Sequence, residues 1–269
     1  MTGRENAPLA DLDRPTAAGV YNCLISEPDC LPAARALVTS LTDPLTGHPG
    51  IRQLAVENRR FILAAVTRLA SDGIGQFLDL GCGLPASPMV HQVARTMRAD
   101  ARVCYVDRDP TVASHVAAVL HTAREGLAVV KADVADPAAV LASPALTGPD
   151  AVIDMAEPAG VLFGGTLSAM PAETARSTVA GFTDALAPGS YAVISCVSYA
   201  DRLLGQRMAR TYAAAGTWHN HSPADVGSFF GRLQPVPGCE LVADLRRWPA
   251  VTPGWRRDAA LLGGIGVLC

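Results

Sequence analysis

From Ile51 to Leu69 the apolar positions Leu54, Phe61, Ala65 and Leu69 recur at helical spacing, with Arg and Glu between them. This periodicity predicts an amphipathic helix. The pattern then switches to short apolar runs alternating with helical stretches. The runs "QFLDL" (76–80), "ARVCYVDRD" (101–109), "GLAVVKADV" (126–134), "AGVLFGG" (159–165) and "GSYAVISCVS" (189–198) read as strands. Between them "SPMVHQVARTM", "PTVASHVAAVLHTA", "DPAAVLAS" and "AETARSTVAGFTDAL" read as helices or helical turns. Five βα units in about 120 residues predict a parallel sheet.

The flanks read differently. Residues 1–15 resemble a frayed arm, "RPTAAGVYNCLIS" starts a short helix after Pro15, and "LPAARALVTSL" (31–41) is helical before the loop "TDPLTGHPG". Residues 199–232 turn helical again, and in "HSPADVGSFFGRL" Ser222 is placed to cap a helix with Pro223 at its first position. "CELVADLRRW" and "DAALLGGIGVLC" then suit two final strands lying antiparallel at one sheet edge. The expected fold class is α/β: a Rossmann-like, doubly wound, seven-stranded and mostly parallel sheet with an N-terminal helical arm. The expected division is an arm or cap over 1–55 and a ligand-binding domain over 56–269, with a helical insert at about 199–235.

Composition narrows the partners. The formal charge is −3, and 21 arginines stand against a single lysine, Lys131, so no basic block exists to neutralise a run of phosphates. Nucleic acid is not the expected partner. The N-terminal stretch lacks an apolar core of signal-peptide type, and no later segment offers about 18 uninterrupted apolar residues, so neither secretion nor membrane spanning is expected. Seven cysteines, odd in number, far apart and without a C-x-x-C pair, suggest reduced thiols in a cytoplasmic protein.

The candidate chemistry lies at "QFLDLGCGLPASP". In an open parallel sheet, ligands sit at the carboxyl ends of the strands beside the switch point. Gly81, Gly83 and Ala86 satisfy the relaxed dinucleotide spacing. Asp79, just before the first glycine, would repel a pyrophosphate and welcome a cation, and no lysine follows to make a P-loop. Asp107 ends the second strand and suits two ribose hydroxyls. Asp133 and the Val134 backbone, at the end of the third, suit the amino edge of an adenine. Acids at the turn, the ribose and the base, without a phosphate anchor, fit S-adenosylmethionine (SAM), which carries adenosine and a sulfonium cation. Against this, Asp109 suits an ordinary helix cap, Asp133 and Asp136 suit turn acids, and Cys82 suits a small apolar filler rather than a reactive thiol.

With these residues in place, the chain resembles a family of bacterial SAM methyltransferases, many without an assigned substrate. The match runs through "ENRRFILAAVTRLASDGIGQFLDLGCGLP", "ARVCYVDRDPTV", "KADVADPAAVL", "ALAPGSYAVISCVSYAD", "HSPADVGSFF" and "RRW" near the last strands. The resemblance implies a class I methyltransferase fold with Asp79, Gly81, Gly83, Asp107 and Asp133 around SAM. It also implies Asn58 and Arg59 near the methionine end, where an arginine suits the carboxylate. The chain departs from the family near its N-terminus, where "GVYNCLISEPD" keeps Tyr21 but loses charged and glycine positions. It departs again where the family's two histidines are replaced by Ser168 and Cys196.

Methyl transfer requires an acceptor held in line with the sulfur–methyl bond, and sometimes a base. The candidate catalytic residues are Tyr21, Tyr199 and His221, with His219 also considered. "HNH" (219–221) has no neighbouring ligand set for a metal, so none is expected. The expected activity is methylation of a small molecule in secondary metabolism. Two alternatives stand beside it: an enzyme that consumes SAM itself, cyclising it or cleaving it to methylthioadenosine, and a SAM-binding regulator without turnover.

Overall fold

The computed structural model describes residues 14–26, 30–43, 47–48, 50–121, 125–239, 241, 243–245 and 259–269. Three helices come first. α1 (Ala17–Ile25) is capped by the Thr16 hydroxyl, α2 (Pro32–Thr42) begins on proline, and α3 (Ile51–Ser71) is the long amphipathic helix the periodicity predicts. α3 runs through residue 55, the expected boundary of the arm, without a break, and α1 and α2 pack on it.

Next, β1 (Gln76–Leu80), α4 (Val90–Met97), β2 (Arg102–Asp107), α5 (Pro110–Leu120), β3 (Leu127–Lys131), α6 (Pro137–Leu141), β4 (Gly160–Gly164), α7 (Ala172–Thr183) and β5 (Tyr191–Tyr199) alternate as the pattern predicts. α8 (Arg202–Tyr212) and α9 (Pro223–Phe229) follow, then β6 (Gln234–Pro235), β7 (Ala243–Asp244) and β8 (Ala259–Val267). α9 begins with a reciprocal Ser222–Asp225 capping box, so the cap expected at Ser222 forms.

The strand order is β3-β2-β1-β4-β5-β8-β6, with β7 also on β8. β1 to β5 are parallel and β8 is antiparallel to β5. β6 pairs with Gly266 and Val267 and β7 with Leu262 and Gly263, so two short strands share the seventh position. The strand expected over 239–248 is thus two residues long among those described. Residues 1–13 and the "RRW" motif lie outside the described residues.

Each strand alternates its side chains between two cores. Phe77, Val103 and Tyr105 pack with α1 to α5 and α8. Leu78, Leu80, Cys104 and Val106 pack with α6, α7 and α9. Alternation therefore puts Asp79 on the α3/α4 face, directly opposite Tyr105 in register. The chain order reverses between β1 and β4, so the crevice at their carboxyl ends is the switch point. At the far edge, the exposed Lys131 ends β3 opposite Asp107.

One expectation is corrected. Cys23, on α1, and Cys30, just before α2, form a disulfide, so the cysteines are not all free thiols. The pairing was illegible because it arises from the tight α1–α2 return rather than from a motif spacing. Cys82, Cys104, Cys196, Cys239 and Cys269 are free. No helix among the described residues is long and apolar enough to cross a membrane.

Candidate functional site

The chain leaves β1 through two glycines in the left-handed region, Gly81 at φ +71° and Gly83 at φ +67°. They differ in what surrounds them. A Cβ on Gly81 would lie 2.6 Å from Thr166, whose hydroxyl donates to the Leu80 carbonyl at 2.7 Å and closes the β4 loop onto the turn. A Cβ on Gly83 would meet nothing within 4 Å. The turn is therefore sealed on one side and open on the other. The Gly81 and Cys82 amides donate to Val106 O, which fixes the turn to the end of β2.

Asp107 completes the turn. Its Oδ2 accepts from the Gly83 amide at 3.0 Å and its Oδ1 from the Asp109 amide at 2.9 Å. Burial raises its pKa, and these two amides pull it back. Each oxygen keeps a second lone pair for a ligand hydroxyl. Asp79 is buried, and its carboxylate accepts no hydrogen bond from the described residues. Burial pushes its pKa up to about 6, with Arg59 opposing and Asp107 adding to the rise. A buried carboxylate without a donor is costly, and a cation placed beside it would relieve that cost.

Arg59 Nη2 donates to Ala86 O at 2.9 Å and Pro88 O at 2.6 Å, so α3 clasps the loop after the turn. Its guanidinium lines the same cleft as Asp79, Gly83, Leu84, Pro85 and Tyr105. Next to it on α3, Asn58 links three elements. Ser195 Oγ, on β5, donates to Asn58 Oδ1 at 2.5 Å, and Asn58 Nδ2 donates to Tyr21 Oη at 2.9 Å. Tyr21 in turn donates its proton to Ala55 O at 3.2 Å. The phenol is therefore committed to a carbonyl, and burial lifts its pKa to about 12. It can orient a ligand but is a poor base at neutral pH.

The other predicted residues divide. Asp133 lies two residues beyond β3, whose end is tied to Asp107 by Ala132 N→Asp107 O at 3.2 Å. Its exposed carboxylate accepts from the Ala135 amide and pairs with Arg108 at 3.2 Å, and the Val134 side chain beside it is buried. The cap reading holds for Asp109, whose carboxylate accepts from the Thr111 amide at the start of α5, while Asp136, expected as a turn acid, caps α6 through the Ala139 amide. α4 begins only at Val90, so Cys82 is not at a helix N-terminus, and burial pushes its thiol pKa well up.

Tyr199 and His221 stand apart from this group. His221 Nε2 contacts Leu167 O at 3.0 Å, and its ring packs edge-on against Phe229, a structural arrangement. The His219 amide is pinned to Ser168 O at 2.7 Å. Cys196 is buried beside the Ser168 hydroxyl, with its thiol pushed up to about 12. Tyr199 ends β5 between His48 and Trp218. Sequence reasoning missed Ser195, Thr166 and Tyr105. Tyr105 alone carried a signal, as a polar aromatic opposite Asp79 that accepts from the His91 amide and contacts His91 Nδ1 at 2.8 Å.

The family described as S-adenosyl methyltransferase matches residues 4–266. The chain belongs to this family. The methyltransferase is also similar to two solved structures. A protein of Thermobifida fusca, described as a putative methyltransferase, is 32% identical over 99% of both chains with a TM-score of 0.83. A DUF574 family protein of Streptomyces avermitilis is 28% identical over 96% of this chain and 99% of that one, with a TM-score of 0.85. No curated protein matches the chain. Membership makes SAM the cofactor, and the turn fits it. The methyltransferase offers an unpaired buried carboxylate for a cation and an acid with free lone pairs for a ribose. The cleft residues include no lysine to receive a phosphate.

Proposed function

We propose that the protein methylates a small molecule, in secondary metabolism. The observation that carries the cofactor's placement is the buried, unpaired Asp79 carboxylate beside Arg59 at the open side of the glycine turn. In this reading Asp79 faces the ammonium and sulfonium end of SAM. The free nitrogens of Arg59 take its carboxylate, with Asn58 beside them. Asp107 holds the ribose, and Asp133 with the Val134 backbone borders the adenine. Gly81 and Gly83 let the backbone approach. SAM supplies a methyl group made electrophilic by the adjoining sulfonium.

The protein's own contribution is positioning, which by itself supplies much of the rate of a bimolecular transfer. Ser195 holds the Asn58 amide so that its Nδ2 faces Tyr21, and Tyr21 keeps its proton on Ala55 O. Tyr21 is thus an orienting group near the cofactor. Tyr199, at the outer end of β5, belongs to the acceptor side in this reading, whereas His221, held by Leu167 O and Phe229, keeps a structural role.

Incubation with SAM alone, and with SAM plus a small-molecule extract, tests the reading by mass spectrometry. S-adenosylhomocysteine formed only with extract is expected. Methylthioadenosine formed from SAM alone would overturn it in favour of a SAM-consuming enzyme, and tight binding with neither product would favour a regulator.

A further inference from the structure

Beyond the glycine turn, buried polar atoms without partners gather at one place. His48 lies just before α3, is 1% exposed, and has no hydrogen bond on either ring nitrogen. Arg207, on α8, donates from Nη2 to Gly47 O at 2.6 Å, while its buried Nε–H has no acceptor and no described carboxylate pairs with it. The two are close: burial, and then the Arg207 charge, pull the His48 pKa down to about 4. The Tyr199 ring packs on His48 at 5.7 Å between centroids, and Trp218 packs edge-on against Tyr199 at 5.8 Å. Arg207 and Trp218 are half-buried, so this group has an outer wall reached from solvent.

Buried polar groups in folded proteins are almost always hydrogen-bonded, and three orphaned nitrogens on two adjacent side chains call for a missing partner. The chemistry of that partner is constrained. Arg207 Nε–H is donor only, and a neutral imidazole brings one further donor. A guanidinium without a counter-charge favours an anion, and a carboxylate accepts from both groups at once. The half-buried Trp218 ring, backed by the buried Tyr199, suits a planar apolar body.

Position links this group to the cofactor site. Tyr199 lies four residues beyond Ser195 on β5, about 13 Å along the strand. Ile51 lies seven residues before Asn58 on α3, about 10 Å along the helix. Both elements thus lead from the Asn58–Ser195 contact outward past the carboxyl edge of the sheet to His48.

We propose that His48 and Arg207 form an anion pocket that receives the carboxylate of a planar, aromatic-bodied methyl acceptor, about 10 to 13 Å from the Asn58–Ser195 contact. This rests on the methyl-transfer reading for the word acceptor, and on the orphaned nitrogens for the carboxylate.

The test is an NMR titration of the full-length protein, with and without saturating SAM, following the imidazole signals of His48. The probes are 2-naphthoate and its uncharged isostere 2-naphthamide. Naphthoate is expected to move the His48 signals, raise the His48 titration midpoint from about 4, and bind at least about tenfold more tightly than the amide. Arg207→Met should abolish that preference while SAM binding, measured by calorimetry, is kept. Arg207→Lys, which keeps the charge but loses Nε, should retain part of it.

If naphthoate leaves His48 unmoved, or if acid and amide act alike in the wild type, the pocket does not exist. That comparison needs no variant to fold. A response unchanged in Arg207→Met would also overturn it. Because the readout is binding, its failure alongside intact SAM-dependent methylation sinks only the pocket. Binding of both ligands without any transfer counts instead against the methyl-transfer reading.

Discussion

The glycine turn and the far end of β5 handle polar groups in opposite ways. At the turn, Asp107 is held by two backbone amides, Arg59 by two carbonyls, and Asn58 by Ser195 and Tyr21, with only the Asp79 carboxylate left without a donor among the described residues. At the far end, His48 and Arg207 Nε have nothing to bond to, although they are as deeply placed. The first region is built in advance for a ligand of fixed shape. The second is incomplete without one, as befits the side of an enzyme that must let a partner come and go.

The comparison breaks first at Asp107. Asp107→Ala removes the acceptor for two amides together with the proposed ribose contact, so SAM affinity should fall by about a hundredfold or more. Unchanged affinity in a calorimeter would show that the turn is not the cofactor site. Gly81→Ala should cost about 2–4 kcal/mol of stability, because the residue sits at φ +71° and its methyl would strike Thr166. Thermal melts should show Gly83→Ala, with the same backbone strain but open space, as the milder change.

Asp79→Asn separates stability from binding. The native carboxyl pKa of about 6 lies above its unfolded value, so the folded state holds the proton more tightly. The wild type without ligand should therefore gain stability as pH falls from about 6 toward 4, while Asp79→Asn melts higher near neutrality and shows less of this dependence. SAM binding should move oppositely, weakening in the wild type below pH 6 and falling about tenfold in the variant at pH 7. Parallel changes in melting and affinity would refute the assignment of Asp79 to a cation. The smallest effect is expected from Tyr21→Phe. It should slow turnover by up to about tenfold without shifting the pH–rate profile, since a phenol at about 12 is not the base. A lost basic limb would contradict this.

The difference also explains what could be read in advance. The sheet and the turn are local in sequence: strands of period two, glycines one residue apart, and an acid at or near the ends of β1, β2 and β3. Such features survive in a single sequence because their geometry depends on near neighbours. Ser195 on Asn58, and Arg207 over His48, join residues 137 and 159 positions apart. A serine inside a buried strand, or a histidine after a proline-rich loop, carries no mark of its partner. The Cys23–Cys30 link was missed for a related reason, since only the return between α1 and α2 brings the two together.

The single lysine acquires a practical meaning from its place in the fold. Lys131 is exposed at the end of β3, in register with Asp107, on the rim of the proposed adenosine site. Apart from the terminal amine, an amine-reactive dye has one side chain to modify. A fluorophore attached there would sit where the cofactor arrives, turning an accident of arginine-rich composition into a site-specific optical reporter.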